Sequence, residues 1–119
     1  MDRQKIMDYI EGNYGTAPEY LWQKYPNYVV FRHVGGKKKW FAAVMEIPAE
    51  KLGLKDRGTV DIVDLKCDPL LITSLIDRKG IFPGYHMNKA HWITVLLQEN
   101  GVPFERVRDL IDMSYQLTK

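Results

Sequence analysis

Apolar positions recur first at helical spacing. Ile6, Ile10 and Tyr14 fall four apart with Met7 beside them, while Arg3, Lys5, Asp8 and Glu11 take the other side. A stripe of that period is one face of an amphipathic helix, predicted here over 2–14. Gly15 and Pro18 supply its stop, because glycine tolerates a left-handed cap and proline cannot extend the ladder. From Tyr28 to Ile47 the period changes. YVVFRHV and KWFAAVMEI are rich in β-branched and aromatic residues, and Gly35-Gly36-Lys37-Lys38 joins them as a hairpin turn. In the second arm Phe41, Ala43, Met45 and Ile47 alternate with Trp40, Ala42, Val44 and Glu46. Both faces are largely apolar, so part of the sheet should be covered twice. A third strand is predicted over 59–66, with Val63 and Leu65 on one face and Val60 and Ile62 on the other.

Asp68-Pro69 then reads as the start of a second helix: an N-cap, followed by proline at the first helical position. Leu71, Ile72, Leu75 and Ile76 would form its buried stripe, Arg78 and Lys79 its last turn, and Gly80 its end. Next comes a short hairpin over 85–97 turning at Asn88-Lys89, with 91–97 as the stronger arm. After Gly101 a final helix from Pro103 to about Leu117 turns Phe104, Val107, Leu110, Ile111 and Ser114 inward. The order α-β-β-β-α-β-β-α describes an α+β fold: a single antiparallel sheet with helices packed on it, since hairpin-length connections cannot make parallel crossovers.

With 119 residues and 45% hydrophobic content, the chain can fill one modest core, hence one domain over 1–119. The longest apolar run, Trp40 to Met45, is far below the roughly 20 residues of a membrane span. No apolar leader opens the sequence, so a cytoplasmic protein without a membrane partner is expected. Cys67 is the lone cysteine, which excludes an intrachain disulfide and reads as a small hydrophobe in a reducing compartment. The net charge of +2 hides an asymmetry. Between Glu19 and Glu46, and again between Asp77 and Glu99, the chain carries no acid; the two windows hold Lys24, Arg32, Lys37, Lys38, Lys39, Arg78, Lys79 and Lys89. A basic face follows if they adjoin in space. The pI of about 8.6 still falls short of a dedicated nucleic-acid domain.

Three segments carry a family resemblance: Lys66-Cys67-Asp68-Pro69, then Pro83-Gly84-Tyr85-His86-Met87-Asn88-Lys89 with His91-Trp92, and Ser114-Tyr115. With the order of elements, they make the chain similar to the MmcQ/YjbR-like proteins, small and mostly bacterial domains. The resemblance implies a secretion-chaperone-like α+β fold. It also implies DNA binding through a paired-hairpin, or double-wing, surface as an expectation.

The candidate chemistry is sparse. His86 and His91 lie five apart near Cys67 and Asp68, but zinc needs about four ligands at compatible spacings, and neither a cysteine pair nor an HExxH helix is present. Their imidazoles are instead expected to bond nearby backbone or carboxylates and hold the turn. No nucleophile elbow or phosphate-cradling glycine pattern accompanies Ser74, Ser114 or Tyr85, and Asp61 and Asp64 fall on opposite faces of their strand. No catalytic, metal or cofactor set emerges. Trp40 and Trp92 read as core aromatics. The chain is therefore expected to be a non-catalytic binding module. In the leading reading, Arg32, Lys37, Lys38, Lys39 and Lys89 meet DNA phosphates from the hairpin tips. The alternatives are a chaperone-like protein-interaction module with an exposed apolar patch, and a small-molecule or enzymatic pocket around His86 and its neighbours Tyr85, Asn88, Lys89, His91 and Trp92.

Overall fold

In a computed structural model that describes residues 2–56 and 58–119, the chain folds as five antiparallel strands and three α-helices. Helix α1, Arg3–Tyr14, is capped by Asp2, whose side chain accepts from the Lys5 amide at 2.9 Å. It ends on Gly15 at φ 64°, the left-handed cap that a side chain resists. Strands β1 (Val29–Arg32) and β2 (Trp40–Pro48) form the first hairpin, and a short 3-10 turn, Ala49–Leu52, leads on towards β3 (Thr59–Lys66). Helix α2 (Pro69–Leu75), strands β4 (Ile81–Pro83) and β5 (Trp92–Leu97), and helix α3 (Phe104–Leu117) complete the order. The strands run β1-β2-β3-β5-β4 across the sheet. This is the predicted α+β sequence of elements.

The helices cover one face. Ile6, Ile10, Val107 and Ile111 bury against Phe31, Val44, Val63, Leu65, Ile93 and Val95. A register shift between Phe31 and Arg32 accompanies a local break in alternation, and the consecutive Phe41 and Ala42 both join this helix-side cluster. Ser114 stitches α3 to the strands: its hydroxyl donates to the Phe41 carbonyl at 2.6 Å and accepts from the Lys66 amide at 2.9 Å. On the other face, Val30, Ala43, Met45, Ile47, Ile62, Phe82 and Leu96 lie under Trp22, Tyr28, Leu52, Leu54, Tyr85 and Met87, none of them helical in the α sense. The double coverage read from β2 is thus real. The outer edge of β1 is partly closed by Glu19, whose backbone exchanges both hydrogen bonds with Val30.

Two elements differ from expectation. Helix α2 stops at Leu75, so Arg78 and Lys79 are not its last turn; only Ile72 of its stripe is buried, and Leu71 is exposed. The chain turns instead around Asp77, whose carboxylate accepts from the amides of Lys79, Gly80 and Ile81 at 2.9–3.0 Å. Those three donors hold its pKa down to about 2. The second hairpin is displaced as well: its first arm is Ile81–Pro83, and 84–91 are all turn. Gly84 passes so close to Trp92 that a Cβ would lie 2.9 Å from the Trp92 carbonyl oxygen, and the Tyr85 amide leaves the ladder to bond Thr94 Oγ1 at 2.8 Å.

Candidate functional site

Strand register places both hairpin turns at one end of the sheet. Trp40 begins β2 beside the end of β1, Lys66 ends β3 opposite Trp92 at the start of β5, and Pro83 ends β4 opposite Ile93. The 33–39 turn, Lys66 and the 84–91 turn therefore emerge side by side. Lys37, Lys38 and Lys39 are exposed and form no ion pair among the described residues. They rim a concavity of about 530 Å³ whose other walls include His33, Tyr115, Thr118 and Lys119. His33 is its buried anchor, with Nε2 2.7 Å from Thr118 Oγ1 and its ring tilted against Tyr115 and Phe41. Burial, then the Lys119 and Lys39 charges, hold this histidine below its ordinary pKa.

The other two cations of the predicted interface are engaged. Arg32 Nε donates to Glu19 Oε2 at 2.7 Å, and Lys89 Nζ donates to the Gly84 carbonyl at 3.0 Å, although Lys89 itself is exposed. The Arg32 guanidinium is thus committed to an acid of its own chain. Lys66, at the end of β3, and Lys119, in the wall of the first concavity, bring two further cations to this region. Lys66 could have been found by counting register, since the end of an upward third strand meets the turn of the hairpin that starts there.

The signature turn is held by residues other than its histidines. Asn88 accepts from the Ala90 amide at 2.9 Å through its side chain and from the His91 and Trp92 amides at 3.0 Å through its carbonyl. His86 and His91 are exposed, and neither imidazole makes a hydrogen bond among the described residues. The expectation that they lock the turn is corrected: His86, at φ 58°, only leans on Tyr85 with ring centroids 4.0 Å apart. Below the turn lies a buried carboxyl group of β3. Asp64 is fully buried; one oxygen accepts from the Thr94 hydroxyl while the other has no partner among the described residues. Burial pushes its pKa up to about 7, against smaller opposing effects from Thr94, the Tyr85 amide and Lys89. Trp40 packs against the second cluster as expected, but Trp92 joins neither cluster and stays half-buried with Lys66 Nζ 5.5 Å from its ring.

A second concavity, of about 680 Å³, opens on the face without helices, lined by aromatic rings together with Lys51, His86 and Met87. Asn88, which a pocket around His86 was expected to enclose, is not in its wall. Cys67 is buried, which raises its thiol pKa and keeps it unreactive. Among the described residues no three His, Cys, Asp or Glu side chains converge as a metal site, and no helix is long and apolar enough to cross a membrane.

The YjbR family model matches residues 12–117, which spans every strand, the signature turn and both later helices. The chain belongs to the YjbR family. It is 42% identical to the uncharacterized protein YyaQ of Bacillus subtilis over 119 residues, covering 100% of this chain and 99% of that one. Its crystallographic likeness to a Pseudomonas syringae protein has a TM-score of 0.95 at 47% identity, with 100% of both chains covered. A Deinococcus radiodurans protein with a DUF419 domain aligns at a TM-score of 0.69 and 25% identity, over 92% of this chain and 75% of that one. These likenesses carry the family and the fold; the YjbR family has no established activity to pass on.

Proposed function

We propose that this YjbR-family chain is a non-catalytic cytoplasmic module that binds duplex DNA without base preference through the lysine-rich end of its sheet. The observation that supports it is the convergence of both turns there, with Lys66 between Lys37, Lys38 and Lys39 on one side and Lys89 on the other. Strand spacing of about 4.8 Å puts the outer strands of a five-stranded sheet some 19 Å apart, a span commensurate with a DNA groove and its flanking phosphates. Lysine heads on flexible stems neutralise phosphates without reading bases. A single cysteine, with no second one to pair within the chain, fits a reducing cytoplasmic setting.

Fluorescence anisotropy on two unrelated duplexes at several salt concentrations tests this. Log K should fall with log salt by about −0.9 per phosphate contacted. Replacing Lys37, Lys38 and Lys39 together by Glu should flatten that slope and weaken both duplexes alike. Absence of binding at low salt, or a triple variant that binds like the parent, rejects the reading. In that case the exposed Leu70, Leu71, Tyr20 and Leu21 support a protein-interaction module instead.

A further inference from the structure

The cleft on the helix-free face has a composition of its own. Trp22 meets Trp40 and Tyr28 edge-to-face at centroid distances of 5.8 and 6.0 Å, and Tyr25 stacks on Tyr28 at 4.8 Å. Tyr85 closes the group from the signature turn. Rings held by edge contacts with their neighbours leave faces for a further ring to occupy, and offset stacking is the geometry they favour. The volume of about 680 Å³ lies within the range of small-molecule sites, and flat aromatic walls select a flat ligand. Burial raises the Tyr28 and Tyr85 hydroxyl pKa values, so both phenols stay neutral donors at physiological pH.

Charge decides the rest. Besides its phenols, the ionisable side chains of the wall are Lys51 and His86, and no carboxylate lines it among the described residues. Asp64, on the same face of the sheet, is sealed from solvent, and the burial that raises its pKa to about 7 favours its uncharged form. An aromatic cage that takes an alkylammonium needs rings without a competing cation at the rim, and here a lysine stands at it. We infer that the cleft binds a small planar aromatic carboxylate, its ring among Trp22, Trp40 and Tyr85 and its carboxylate on Lys51. Ring recognition uses packing and edge contacts; the lysine fixes the direction of entry through a charge-assisted hydrogen bond. The cleft shares the 84–91 turn with the lysine-rich end through Tyr85, His86 and Met87, but none of the lysines of that end lines it, so the inference does not depend on DNA binding.

The test is a titration with 2-naphthoate followed by proton–nitrogen correlation spectra of the tryptophan indoles. The sequence holds three tryptophans, and two of them, Trp22 and Trp40, line the cleft. Their indole signals, assigned with Trp22→Phe and Trp40→Phe, should shift by about 1 mM ligand, while that of Trp92 should stay still. Lys51 is exposed, so Lys51→Ala should fold and should weaken binding about tenfold, the loss of one charge-assisted hydrogen bond. 2-Naphthylmethylamine, with the same ring and the opposite charge, should bind at least about tenfold more weakly. The Lys37, Lys38 and Lys39 triple Glu variant should bind naphthoate unchanged, which keeps this outcome apart from the DNA result. Still indole signals, equal affinity for the amine, undiminished affinity in Lys51→Ala, or shifts with single-stranded DNA but not naphthoate would each overturn the inference.

Discussion

Asp68 is a local case: followed by Pro69, it caps α2 by accepting from the Leu70 amide at 2.9 Å. Asp68→Ala should cost about 1 kcal/mol in urea unfolding, and an unchanged midpoint would contradict the cap. His86 is the opposite case, because its surroundings come from distant strands. It is exposed and unbonded, so His86→Ala should stay within about 0.5 kcal/mol of the parent. Thr94 carries what the histidine was expected to carry. It accepts from the Tyr85 amide and donates to Asp64, so Thr94→Val strands a half-buried amide and a buried carboxyl and should cost about 1–3 kcal/mol. Parallel unfolding curves decide between them: a larger loss for His86→Ala than for Thr94→Val would restore the histidine as the lock. Neither Thr94 nor Asp64 was legible as a pair in the sequence, since they stand thirty positions apart and meet only through the β3–β5 register.

At the scale of elements, legibility followed the reach of the signals involved. Helices α1 and α3 and the β1–β2 hairpin declare themselves by period and punctuation over many residues, and their predicted bounds agree closely with Arg3–Tyr14, Phe104–Leu117 and the paired strands. Helix α2 was read too long because Leu75 and Ile76 continue a helical stripe, whereas Asp77 offers three amides a better acceptor than the ladder does. Strand β4 was expected a few residues too late, from Tyr85, because Ile81–Pro83 is too short to show alternation. Its placement rests on Gly84, whose missing side chain lets the turn lie against Trp92. Gly84→Ala would push a methyl to 2.9 Å from Trp92 Cβ and its carbonyl oxygen. Backbone cannot yield as a flexible side chain can, so a loss of about 1–3 kcal/mol is expected. Amide exchange should quicken at Tyr85 and Trp92; protection equal to the parent's would show that the close approach is dispensable.

Across the whole molecule, two buried titrating groups on opposite faces of the sheet should tune stability in opposite directions. Burial holds His33 below its ordinary 6.5, so the fold favours its neutral form. Its contribution is whole above 6.5 and is lost as pH falls through the folded value, because the unfolded chain takes up the proton first. Asp64 is raised from 3.8 to about 7. Its contribution is whole below 3.8 and is lost as pH rises through about 7, because the unfolded chain releases the proton first. Below 6.5 the two slopes oppose each other wherever they overlap, so in the parent each partly masks the other. Asp64→Asn removes one slope and leaves the other. Whatever constant offset the amide introduces, the melting temperature of the variant minus that of the parent should grow as pH rises from 3.8 and level off above about 7. Scanning calorimetry at matched ionic strength measures that difference directly. A difference that stays flat or shrinks with rising pH would mean that the Asp64 carboxyl ionises as readily in the fold as in the unfolded chain, and that its free oxygen meets water or a cation there.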